Sequence, residues 1–172
     1  SPLSAEKLPS GLDGLILGGG YPELYAAELS AYKTMLAARK SAVDGGIPTI
    51  AECGGFMYLH REVEGADGVL YPLAAVIDAC CENKRRLVRF GYAEFRANVD
   101  NLLCSEGGVL RGHEFHYWDS DCPGDAFTAL KPVSGKSWKC VIVSETLLAG
   151  FPHFHFCSAP DAAERFLTIC GA

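Results

Sequence analysis

The stretch Ile47-Pro48-Thr49-Ile50-Ala51-Glu52-Cys53-Gly54-Gly55-Phe56-Met57-Tyr58-Leu59 decides the fold. Residues 47–52 form the short apolar run that a buried strand of a parallel sheet requires. Cys53 follows with no linker, and two glycines come next. Residues 56–59 then predict the first turns of a helix. A residue between such a strand and such a helix sits on a sharp turn, its side chain raised above the sheet edge. This is the logic of a nucleophile elbow, with cysteine in place of serine. The glycines let the helix start at once and let a substrate approach the backbone.

The same alternation continues on the N-terminal side. Residues 12–17 (Leu-Asp-Gly-Leu-Ile-Leu) predict another buried strand, ending in the sharp turn Gly18-Gly19-Gly20. Pro22 and Glu23 suit a first helical turn, and Leu29, Tyr32, Met35, Leu36 and Arg39 recur at helical spacing up to about Val43. Gly45-Gly46 then stops that helix. Strand, loop, helix, strand, turn and helix in this order predict an α/β domain with a mostly parallel sheet flanked by helices. The pattern changes from about residue 70. Residues 69–77, 87–97, 109–117, 127–130 and 139–144 read as short strands, so a β-rich second half with antiparallel pairs is expected. Residues 160–169 predict a closing helix, with Ser158 or Asp161 as its cap.

The 172 residues suit one domain, and no linker divides them. A net charge of −6 argues against nucleic acid, and Lys84-Arg85-Arg86 reads as a solvated turn or an interface contact. No apolar run approaches the ~20 residues of a membrane helix. The segment Ser1-Pro2-Leu3-Ser4-Ala5-Glu6-Lys7 lacks the layout of a signal peptide. A cytoplasmic protein is therefore expected, its eight cysteines reduced and mostly buried. They form no CxxC pair, which gives a structural zinc site little support.

At the elbow, the helix N-terminus is expected to lower the Cys53 thiol pKa, and the Gly54 N–H is placed to donate to an oxyanion. A buried structural cysteine is the competing reading, and it is retained for the other seven. A thiolate needs a proton carrier. His60 is expected one or two turns into the helix after Cys53, pointing away. His113 and His116, or His153 and His155, are packing residues or a weak metal pair, with no obvious third ligand. Gly18-Gly19-Gly20 presents N–H groups with no side chain in the way, or is a plain tight turn.

Four separated motifs occur in order: Gly18-Gly19-Gly20-Tyr21-Pro22-Glu23, Ala51-Glu52-Cys53-Gly54-Gly55-Phe56-Met57-Tyr58-Leu59, Arg111-Gly112-His113-Glu114-Phe115-His116-Tyr117 and His153-Phe154-His155-Phe156. Together they resemble the C-terminal glutaminase domain of the cobyrinic acid a,c-diamide synthase family, across nearly the whole chain. The resemblance implies a flavodoxin-like class I glutamine amidotransferase fold. It implies that Cys53 forms a γ-glutamyl thioester with glutamine, releasing ammonia. It puts the base at His153, within a Tyr-x-His-x-x-Phe pattern carrying Phe151 in place of Tyr, with His155 in reserve. Gly19 and Gly20 would supply an oxyanion donor or contact glutamine. Glu23, Arg111, Glu114, His116 and Tyr117 would face the cleft or a partner domain.

Class I glutaminases often place a glutamate two residues after the histidine. That position is His155 here, so the orienting carboxylate is unassigned and a Cys–His dyad is expected. No cofactor or metal is expected in this domain. In the family, ATP and magnesium belong to an N-terminal synthetase domain, and nothing here matches G-x-x-x-x-G-K-[ST]. A strand and helix that precede residues 1–9 in the family pattern are also missing, so the chain reads as part of a longer protein. A free sheet edge there favours a homodimer. The full enzyme would amidate the a and c acetates of a cobyrinic acid-type tetrapyrrole. The remaining alternatives are a related tetrapyrrole amidase, another cysteine hydrolase on the same fold, a zinc module and a silent docking subunit.

Overall fold

The computed structural model describes residue 3 and residues 7–171, so most of the N-terminal segment read above lies outside the described residues. In chain order these form β1 (Leu15–Leu17), a 3-10 turn (Pro22–Tyr25), α1 (Ala26–Ala31), α2 (Lys33–Asp44), β2 (Thr49–Glu52), α3 (Gly54–Tyr58), β3 (His60–Glu64), β4 (Leu70–Pro72), β5 (Ile77–Asn83), β6 (Arg89–Ala97), β7 (Val109–His116), β8 (Trp118–Ser120), β9 (Phe127–Leu130), β10 (Ser137–Cys140), β11 (Ile142–Val143), β12 (Leu147–Gly150), β13 (His153–Phe154), a second 3-10 turn (Phe156–Ser158) and α4 (Pro160–Ile169).

The central sheet has the order β1-β2-β12-β11. Its pairs β1/β2 and β2/β12 are parallel, and β11 runs antiparallel at the edge. Side chains alternate across this sheet. Ala51, Leu147 and Ala149 point into a core shared with α1, α2, α3, β3 and β5, while Ile50 and Leu148 point into a second core shared with β6, β7, β9 and α4. The sheet is thus buried on both faces, as its near-continuous apolar strands demand. The β-rich second half supplies an antiparallel sheet, β10-β9-β6-β7-β13, and part of a mixed sheet, β4-β3-β5-β8. No helix among the described residues is long and apolar enough to cross a membrane.

Several elements differ from the sequence expectation. The helix expected up to Val43 breaks at Tyr32, where φ −82° and ψ 59° leave the helical region and separate α1 from α2. The helix after Cys53 is only five residues long. His60 therefore does not lie on it: it opens β3, fully buried, with Nε2 2.7 Å from Ser120 Oγ and Nδ1 2.9 Å from the Phe56 carbonyl. Within residues 69–77 lie the three-residue β4 and only the first residue of β5, Ile77, so the main strand of that region begins where the expected one ended. Residues 139–144 are split at Val141, whose φ of 69° turns the chain out of the antiparallel sheet and into the central one. The closing helix has its expected bounds, but Ala159 is its N-cap and makes no side-chain cap. The Ser158 hydroxyl donates instead to the His155 carbonyl. All eight cysteines are free thiols, yet Cys122 and Cys157 are exposed and only Cys80, Cys81 and Cys140 are fully buried.

Candidate active site

The central parallel strands end at one edge, and there the chain kinks. Cys53 has φ 49° and ψ −108°, a strained backbone for a residue with a side chain. Two hydrogen bonds hold it there. Its N–H donates to the Gly150 carbonyl at the end of β12 (2.8 Å), and its own carbonyl accepts from the Met57 N–H in α3 (2.9 Å). The elbow is therefore clamped between a strand and a helix.

The glycines around it follow from close packing. A Cβ on Gly54 would lie 2.5 Å from the Gly20 carbonyl oxygen, and one on Gly55 would collide with the Leu17 carbonyl. The loop 18–20 thus lies directly on the elbow, bringing Gly20 and Gly54 together. A Cβ on Gly19 would lie 2.5 Å from His153 Cε1, so the same loop also touches the imidazole.

His153 arrives on β13, paired with β7 opposite His113. The two imidazoles stack with centroids 4.8 Å apart and planes within 12°. On another side stands Glu52, the residue before Cys53, with Oε2 3.8 Å from His153 Nδ1. Its other oxygen accepts the Phe154 N–H at 3.0 Å. Sequence reasoning missed Glu52. The signal available was a lone carboxylate at the end of an otherwise apolar strand, a position that needs a partner when buried. His155 is exposed, and its N–H donates to the Arg111 carbonyl. Of the two candidate histidines, it is His153 that lies between Gly19 and Glu52.

A cavity of about 60 Å³ opens beside Cys53, lined by Gly20, Tyr21, Glu23, His116 and Tyr117 among others. Three of the five residues expected at the cleft, Glu23, His116 and Tyr117, are therefore there. Arg111 is not: on the outward face of β7 it pairs with Glu94 at 3.4 Å, its side chain 74% exposed. Glu114 lines a separate small cavity behind His116, shared with Arg89 and Trp138. His113 and His116 fall on opposite faces of β7, which rules them out as a pair of ligands for one ion.

The electrostatics correct one expectation. Burial pushes the Cys53 thiol up to about 11, with Glu23, Glu52 and Glu114 adding to the rise, and the Gly54 N–H only partly offsets it. The α3 terminus does not make a resting thiolate, because a five-residue helix offers little dipole against burial among three carboxylates. His153 is shifted the other way: burial, then the neighbouring His113, lowers its pKa. The resting pair is therefore neutral thiol and neutral imidazole. Burial also raises Glu52 and Glu23.

A parallel sheet, a strained cysteine elbow, a glycine loop over it and a histidine delivered by a later strand define a class I glutamine amidotransferase domain. Two solved structures share this fold. One, described as a glutamine amidotransferase, aligns over 95% of this chain and 82% of its own with a TM-score of 0.59 at 19% identity. The other, described as a putative GMP synthase protein from Thermoplasma acidophilum, covers 94% and 74% with a TM-score of 0.55 at 17% identity. The chain belongs to the CobB/CobQ-like glutamine amidotransferase domain family, whose profile matches residues 1–160. It is 37% identical to the cobyrinate a,c-diamide synthase of Caldanaerobacter subterraneus over all of its own length. It is also 37% identical to that of Salmonella typhimurium over 97%, and 35% identical to the hydrogenobyrinate a,c-diamide synthase of Streptomyces coelicolor over 98%. The chain spans about 38% of the length of the first of these relatives.

Proposed function

We propose that this chain hydrolyses glutamine through a Cys53 thioester and supplies the ammonia to an ATP-dependent synthetase region. What carries the reading is the strained, clamped Cys53 elbow, whose Gly54 packs on the same glycine loop that meets His153 at Gly19. With the thiol protonated and the imidazole neutral, attack begins by proton transfer from sulfur to His153 Nε2. The sulfur bonds to the side-chain amide carbon of glutamine, and the oxyanion faces the backbone N–H groups of Gly54 and of the loop at Gly19 and Gly20. The C–N bond breaks as the imidazolium returns its proton to the leaving nitrogen, giving ammonia. Water then attacks the thioester, its proton passing by way of the same imidazole, and glutamate leaves with the thiol restored.

The relatives' names support the rest of the reading, in which ammonia amidates the a and c acetates of a cobyrinic acid-type tetrapyrrole. ATP and magnesium would serve that step on the synthetase region. Tyr21 and Tyr117, exposed at the mouth of the Cys53 cavity, suit a surface that such a region covers.

Labelling with a glutamine-like diazoketone tests the chemistry. Mass spectrometry should find one adduct, on Cys53, and Cys53→Ala should abolish glutamine hydrolysis. Labelling at Cys122 or Cys157 alone, or full hydrolysis by the Ala variant, would overturn it.

A further inference from the structure

We infer that Glu52 is the positioning carboxylate of this site, holding the His153 imidazole from the nucleophile's own strand. The inference rests on the glutaminase reading above and adds the member that reading leaves open. The position two residues beyond His153 carries His155, exposed to solvent, so the base's own strand offers no carboxylate there.

The geometry is specific. Glu52 ends β2 one residue before Cys53, and its Oε1 accepts the Phe154 N–H one residue after His153. One side chain thus ties the nucleophile's strand to the base's strand. Phe154 is fixed in turn, its ring edge-on to Phe95 at 5.4 Å and tilted against Phe127 at 5.7 Å. The carboxylate is therefore anchored before it acts. Its second oxygen, Oε2, lies 3.8 Å from His153 Nδ1, with the two side chains only 15% and 27% exposed. That separation is longer than a hydrogen bond but within ion-pair distance.

The imidazole has few other places to go. His113 stacks on it and Gly19 touches Cε1, so Nδ1 is left facing Glu52. A carboxylate at Nδ1 selects the tautomer with its proton there and leaves the Nε2 lone pair bare for the thiol. Once Nε2 has taken the thiol proton, the same carboxylate stands beside the imidazolium. Glu23 and Glu114 also influence Cys53, but Glu52 is the carboxylate within ion-pair distance of His153.

The test is Glu52→Gln, which keeps an acceptor for the Phe154 N–H and removes the charge. The expected result is a fall in kcat for glutamine hydrolysis of about 10²-fold or more, with KM within about twofold of the parent and Cys53 still labelled by the diazoketone. Nitrogen-15 spectra should move His153 from the Nδ1–H to the Nε2–H tautomer. Glu52→Asp, which retains the charge on a shorter arm, should recover part of the rate and the parent tautomer. If Glu52→Gln folds poorly, Glu52→Asp against Glu52→Asn carries the same comparison. An unchanged kcat and tautomer in a folded, charge-free variant overturns the inference. Full hydrolysis by Cys53→Ala would instead overturn the glutaminase reading itself, so the two failures are distinguishable.

Discussion

Gly19 shows how little room the site leaves. Its missing side chain is the space that the His153 ring occupies, so a methyl group there must push the imidazole away from the elbow. Gly19→Ala should therefore cost activity far more than stability, because the loop is exposed and Gly19 has no positive φ to lose. We expect glutamine hydrolysis to fall by roughly 10²-fold, the scale of a misplaced general base, with a melting temperature within a few degrees of the parent. Parallel activity and melting measurements check this, and an active Gly19→Ala protein would mean that His153 need not stay where it is.

Elements differ in how plainly the sequence announces them. β1, β2 and α4 were legible because glycine or proline marks where each begins: Gly14, Pro48 and Pro160. The elbow was legible because strand, cysteine and two glycines are contiguous. β12 was not, although it is one of the two interior strands of the central sheet: Leu147–Gly150 is four residues long, buried throughout, and no glycine or proline marks where it begins. His60 was misplaced because Phe-Met-Tyr-Leu continues a helical pattern that the chain abandons at Leu59. Its true role is to join the end of α3 to β8 through Phe56 and Ser120. His60→Leu should then remove one hydrogen bond each from the Phe56 carbonyl, which keeps the Leu59 N–H, and the Ser120 hydroxyl, which keeps the Cys122 N–H, and lower stability by about 1–3 kcal/mol, read as a shift in urea midpoint, with Cys53 still open to labelling. Glu52 was visible as a residue but not as a partner, since its contact with residues 153 and 154 spans about a hundred positions of sequence.

At the scale of the whole molecule, the buried ionisable groups set opposing pH dependences. Burial raises Glu114 from 4.5 to about 7, against Arg89, which pulls it down. Between those values the folded chain holds a proton that the unfolded chain has lost. Its contribution is thus fully present below 4.5 and is lost as pH rises towards 7. The shift is worth about 3 kcal/mol. Glu114→Gln should therefore matter little near pH 4.5 and stabilise the fold by up to that amount at pH 8, measured by urea unfolding at both values. The histidines act in the other sense. His60, His116 and His153 all have lowered values, chiefly through burial, and so each subtracts stability as pH falls below its ordinary 6.5. An equal response of parent and Glu114→Gln to pH between 4.5 and 7 would contradict the assignment of that loss to Glu114.

The two-residue strand β13 belongs to the antiparallel sheet, whereas Cys53 is fixed to the parallel one. Cys53 and His153 thus ride on different slabs of the protein, and the Glu52 carboxylate is the strut between them. Any sliding of one slab over the other becomes a change in alignment at the reacting atoms. On the proposed chemistry, a domain docking across both slabs would act on that gap as a hand closes a pair of tongs, and the rate of thioester formation would register the grip.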